Sequence, residues 1–140
     1  MRILIVEDNR NLATILERMF ANHNTTTVSK LEDAVEKVAQ QKPDLVILDC
    51  MLDDTNHPHQ TINDIPRMIE SSPDTAILVY TGYGSDEIRA EAIARGACGV
   101  IAKKPMRSIS ELTVEMKQIL ADSKFASLVQ ELEDVLEIKL

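Results

Sequence analysis

Apolar residues follow two rhythms along this chain. Unbroken runs stand at Ile3-Leu4-Ile5-Val6, Leu45-Val46-Ile47-Leu48 and Ala76-Ile77-Leu78-Val79-Tyr80, with shorter stretches at 25–28 and 99–102. Runs of that length, rich in Val and Ile, predict strands covered on both faces. Between them the spacing changes to threes and fours. Leu12, Ile15, Leu16, Met19 and Phe20 predict a helix over 10–22. Leu31, Ala34, Val35, Val38 and Ala39 predict a second, opened by a capping box at Ser29-Lys30-Leu31-Glu32 and stopped by Pro43. Ile65, Met68 and Ile69 suggest a short third helix with Pro66 in its first turn. The stretch 50–63, holding Asp53, Asp54, His57, Pro58 and His59, is the least regular and reads as a loop. A fourth helix follows the loop at 82–84, runs to Arg95 and is closed by Gly96. Ser108-Ile109-Ser110-Glu111 is a capping box opening a fifth.

Strands alternating with helices imply right-handed parallel crossovers. The fold class expected is α/β: a five-stranded parallel sheet, doubly wound, flavodoxin-like, with an extra C-terminal helix. Residues 1–121 form the domain, and 122–140 an amphipathic helical extension with Phe125, Leu128, Val129, Leu132, Val135 and Leu136 on one face. That face covers about two heptads, too few to argue a coiled coil, so folding back and pairing in a homodimer both stay open.

Composition narrows the function. A length of 140 residues with 44% hydrophobic and 27% charged residues suits one globular domain. Aromatics reach only 3%, so the core is aliphatic and no stacking platform for single-stranded nucleic acid can be built. The net charge of −8 argues against direct nucleic-acid or anionic-membrane binding. The apolar start is too short for a signal peptide, no run is long enough to span a membrane, and two cysteines make no disulfide framework. The expectation is a cytoplasmic protein with reduced thiols whose mature chain starts at Met1.

In an open α/β sheet, ligands bind at the carboxyl ends of the strands. The first strand ends in Glu7-Asp8, the third in Asp49, the fourth in Thr81, and the fifth in Lys103-Lys104-Pro105. Two like charges ~4 Å apart repel by about 4 kcal/mol at an effective dielectric near 20. Acids gathered there require a divalent cation, a lysine or a proton. An oxygen-only site that awaits a phosphate suits Mg²⁺. A carboxylate beside Mg²⁺ can attack phosphorus and form an aspartyl phosphate.

These residues resemble the receiver domain of two-component response regulators, chemotaxis-regulator-like in scale, over roughly 1–121. The resemblance rests on Ile3-Leu4-Ile5-Val6-Glu7-Asp8-Asn9, Pro43-Asp44-Leu45-Val46-Ile47-Leu48-Asp49, Thr81-Gly82-Tyr83-Gly84 and Gly96-Ala97-Cys98-Gly99-Val100-Ile101-Ala102-Lys103, in that order. It implies Asp49 as phosphoacceptor. Asp8 would bind Mg²⁺ directly, Glu7 through water, and Asp49 and the Met51 backbone carbonyl would complete the protein ligands. Thr81 would contact the phosphoryl group and Lys103 would pair with it. The donor would be a phosphohistidine on a sensor histidine kinase or phosphotransfer protein, and an effector protein would read the result. The only enzymatic activity implied is self-catalysed phosphotransfer and autodephosphorylation at Asp49.

The chain also departs from that family. Val100 stands where an aromatic is usual, and Asp53 replaces the usual proline. The register from Gly96-Ala97 selects Lys103, whereas the usual Lys-Pro dipeptide would select Lys104, and with Lys103 chosen a cis bond before Pro105 becomes an open question. Val100 and the altered 50–63 loop support an alternative, a pseudo-receiver acting as a constitutive interaction module. A Mg²⁺-dependent phosphatase ranks below both, because Met51 occupies the position its general acid would need. Asp8 or Asn9 would serve as an N-cap of the first helix. His57 and His59 with Asp53 and Asp54 match no zinc spacing, and the expectation is a solvated loop. Tyr83 and Met51, each two residues beyond a site residue, would flank the phosphoryl group.

Overall fold

The computed structural model describes residues 1–132. The elements in chain order are β1 (Arg2–Val6), α1 (Arg10–Met19), β2 (Asn24–Val28), α2 (Leu31–Gln41), β3 (Leu45–Leu48), α3 (Pro58–Asn63), α4 (Ile65–Ser71), β4 (Ala76–Thr81), α5 (Asp86–Ala94), β5 (Gly99–Ala102) and α6 (Ile109–Ala121). The strands form one parallel sheet in the order β2-β1-β3-β4-β5. The apolar runs therefore pair as read, and β1 and β3 flank the point where the chain reverses its direction of travel across the sheet.

Alternation along each strand divides the core. Leu4, Val6, Val46, Leu48, Ile77, Val79 and Val100 point to one face, where α2, α3, α4 and α5 supply Val38, Ile62, Met68 and Ile88. Ile3, Ile5, Leu45, Ile47, Leu78 and Ile101 point to the other, against Leu16 and Met19 of α1 and Leu112, Met116 and Leu120 of α6. Removing such aliphatic area from water stabilises by about 25 cal/mol per Å², the main favourable contribution to this fold.

Several predicted element ends shift. The first helix stops at Met19 rather than residue 22, and its N-cap is Asn9, whose side chain accepts from the Leu12 N–H at 3.1 Å. The predicted capping box of α2 does not form, since Lys30 occupies the N-cap position and makes no side-chain cap. Asp54 takes its place: its carboxylate accepts the N–H groups of Leu31 at 2.7 Å and Glu32 at 3.1 Å. A full charge at a helix N-terminus is a better acceptor for those orphan donors than a hydroxyl. The 50–63 stretch is likewise not all loop, because α3 occupies its end, with Pro58 in the first turn. The capping box at Ser108 and Glu111 forms as read. Gly96 sits at φ 115°, a backbone conformation that side chains rarely adopt, so the residue that closes the fourth predicted helix is required to be glycine by its backbone.

The start of the extension folds back. Leu132 is buried in the α1/α6 face, with Phe125, Leu128 and Val129 packed against it. Val135 and Leu136, the rest of the predicted apolar face, lie outside the described residues. The Met1 ammonium lies 3.6 Å from Glu131 and hydrogen-bonds His23 Nδ1 at 3.1 Å, so both ends of the described chain meet at the amino edge of the sheet. Among the described residues, no helix is long and apolar enough to cross a membrane.

Candidate functional site

Three backbone bonds shape the carboxyl edge. Val6 accepts from the Asp49 N–H at 3.0 Å, which locks the end of β3 to the end of β1. Val28 accepts from the Glu7 N–H at 3.0 Å, and Thr81 accepts from the Lys103 N–H at 2.9 Å. Leu48 pairs with Val79 in the sheet, so Asp49 and Cys50 continue that register toward Tyr80 and Thr81. Acidic, hydroxyl and ammonium groups from four segments are brought together by strand pairing, whatever their separation along the chain.

At the centre is the Lys103 ammonium, 2.7 Å from Asp49 Oδ2 and 2.8 Å from Glu7 Oε1. Glu7 and Asp49 are only 3% and 4% exposed. Glu7 Oε2 accepts from the Asn9 N–H at 3.1 Å and Asp49 Oδ1 from the Cys50 N–H at 2.7 Å, so both carboxylates are fixed in orientation. Burial, followed by the charge of Asp49, pushes Glu7 up to about 7, against the opposing pull of Lys103. Burial would lower Lys103, but its hydrogen bonds and charge contacts with Asp49 and Glu7 outweigh that and raise it. Lys103 is thus a fixed cation between Asp49 and a Glu7 carboxyl whose hold on a proton is strengthened.

Asp8 is exposed at the mouth of the pocket. Glu7, Asp8 and Asp49 each present a carboxylate oxygen within 4.8 Å of the others. An oxygen-only set with one solvent-facing member fits a hard divalent ion that keeps part of its water shell. Met51 lies partly exposed in the chain leaving β3. Thr81 is fully buried, and its Oγ1 accepts from the Tyr83 N–H at 3.2 Å. Tyr83 itself is half exposed. Cys50 is buried, and desolvation pushes its thiol up to about 12, so it is no ready thiolate. Lys104 lines a groove with His59, Tyr83 and Glu87, and the Lys104–Pro105 bond is cis. Of the two lysines, Lys103 is the one in contact with Glu7 and Asp49, and Lys104 carries the cis proline bond.

The response regulator receiver domain profile matches residues 3–117. The chain belongs to the response regulator receiver family. Among curated relatives, "Response regulator ArlR" of Staphylococcus aureus (strain Mu50 / ATCC 700699) is 33% identical over 121 residues, covering 85% of this chain and 52% of that protein. The chain therefore spans about half the length of the curated relatives it matches. Solved receivers share the fold. The CheY-like receiver domain protein of Methanospirillum hungatei JF-1 has a TM-score of 0.73 at 19% identity, covering 95% of this chain and 96% of that one. A response regulator from Burkholderia pseudomallei, solved with a phosphorylated aspartic acid, a calcium ion and citrate, has a TM-score of 0.70 at 24% identity, covering 97% of this chain and 74% of that one.

Two groups near the receiver site escaped sequence reasoning. Arg89 of α5 donates to the Val100 carbonyl at 2.7 Å, beside the position where the family's aromatic is absent. Arg107 donates to the Ala102 carbonyl and pairs with Glu115 at 2.8 Å. Neither belongs to a motif, and only the packing of a helix or loop against β5 creates the contacts.

Proposed function

We propose that this receiver is a phosphorylation-dependent switch with Asp49 as phosphoacceptor, and that residues 1–121 form the switching unit with 122–140 as an appended extension. The observation that carries this reading is Lys103 bridging Asp49 and Glu7 at the β1/β3 reversal point. Mg²⁺ would be held by Asp8, Asp49 and the Met51 carbonyl, with Glu7 reaching it through water. The ion, when bound, supplies Lewis-acid neutralisation of charge on the phosphoryl oxygens.

Asp49 Oδ attacks phosphorus in line as the P–N bond of a phosphohistidine breaks, and the departing imidazole keeps the bond's electron pair and takes a proton. Lys103 is already within ion-pair distance to hold the anionic product. Thr81, at the end of the neighbouring strand, offers a hydroxyl to a phosphoryl oxygen. The modified side chain carries up to two negative charges and three acceptor oxygens. Lys103 and Thr81 sit at the ends of β5 and β4, so their movement is passed to α5, β5 and α6. Ile93, Met106 and Val114 are exposed on or beside those elements and offer apolar area to an effector protein. The donor would be a sensor histidine kinase or a phosphotransfer protein.

Intact mass after incubation with Mg²⁺ and acetyl phosphate tests the proposal. One phosphate adduct is expected, lost in Asp49→Asn and without Mg²⁺. An adduct that persists in Asp49→Asn overturns the assignment of the acceptor. No adduct with any donor points instead to a constitutive interaction module.

A further inference from the structure

We infer that His59, Glu87 and Glu91 form a second cation site, suited to a borderline divalent transition ion such as Zn²⁺. Sequence spacing argues against a metal held by His57 and His59 with Asp53 and Asp54, because it fits no zinc pattern and the loop is polar and contains proline. The fold changes the partners. Asp54 is committed to the N–H groups of α2. Glu87 and Glu91, one turn apart on α5, face His59 of α3 instead.

His59 Nδ1 lies 2.8 Å from Glu91 Oε2, and one ligand atom from each of the three residues lies within 4.8 Å of the others. The Gln60 side chain, accepting from the His57 N–H at 3.2 Å, fixes the start of α3 and with it the His59 backbone. Two carboxylates one turn apart and an imidazole from a facing helix supply three ligands, leaving a fourth position for water.

The donor set separates this site from the pocket at Glu7, Asp8 and Asp49. That pocket offers only oxygen, which Mg²⁺ accepts; here an imidazole nitrogen joins two carboxylates, a combination that favours Zn²⁺. Binding at the ring nitrogen requires neutral imidazole, so loading releases any proton the ring carries. The ion would tie α3 to the helix that follows the Thr81 loop.

Competition titration of the full chain with Zn²⁺ against a chromophoric chelator, in a large excess of Mg²⁺, tests the inference. One equivalent of Zn²⁺ is expected to bind and to survive in Asp8→Asn. His59→Ala, Glu87→Gln and Glu91→Gln alter half-buried or exposed groups and leave the fold intact. Each is expected to weaken Zn²⁺ binding by at least about tenfold, since even outer-shell changes cost 10–100-fold. Unchanged affinity in His59→Ala and Glu91→Gln, or loss in Asp8→Asn, overturns the site and leaves an ordinary His–Glu ion pair.

Discussion

Two groups of carboxylates occupy the same end of this molecule under opposite conditions. Glu7 and Asp49 are shut away from water and share a single ammonium. Asp54, Glu87 and Glu91 stand in or near solvent, Asp54 on the N–H groups of α2 and the two glutamates beside His59. In the first group the electrostatics are strong, because desolvation and repulsion act on both acids at once. In the second, geometry alone matters, since an exposed ion pair contributes little and water screens the remainder. The same residue type is thus a buried, cation-bound acid in one place and a local fastener in the other.

The sharpest way to break this contrast is Lys103→Met, which keeps the apolar stem and deletes the charge. Leaving two buried carboxylates without their cation is expected to cost about 3 kcal/mol at pH 8. The loss should shrink at pH 6, where Glu7 can take up a proton; equal losses in urea unfolding at both pH values would show that the pair is not coupled.

Glu7 gives the next largest effect. Its carboxyl is raised from 4.5 to about 7 on folding. Between those values the native state holds a proton that the unfolded chain has released. Stability from this group is therefore complete below the unfolded value and is lost as pH rises through about 7. Glu7→Gln should flatten that part of the pH profile, and an unchanged slope in denaturant midpoints would remove the claim.

Asp54 supplies the smallest effect. Asp54→Ala strips α2 of its N-terminal acceptor and should cost about 1 kcal/mol, as a lost cap does. Ser29→Ala should cost nothing comparable. A thermal melt ranking the two variants the other way would restore the cap read from sequence.

The same contrast explains what could be read in advance. Strands announce themselves through local runs such as Leu45–Leu48, and in an α/β sheet the residue after such a run is at the ligand edge by construction. The placement of Glu7, Asp8, Asp49, Thr81 and Lys103 at one edge was accordingly legible in the sequence. The exposed group was not. Asp54 outcompetes Ser29 only because the chain after β3 passes the start of α2. Glu91 meets His59 only because α3 packs beside α5, and Arg89 meets Val100 only across a helix–strand contact. Such pairings carry no periodicity and depend on how neighbouring layers dock.

The joining of Met1 to Glu131 and His23 has a practical bearing on any tagged form of the protein. Five residues of β1, at about 3.3 Å each, put that junction about 17 Å from the acidic pocket. A fluorophore or affinity handle placed on the amino group would strip its charge and loosen the grip on Glu131, so such a label would report on the docking of the start of the extension from a point remote from the acidic pocket.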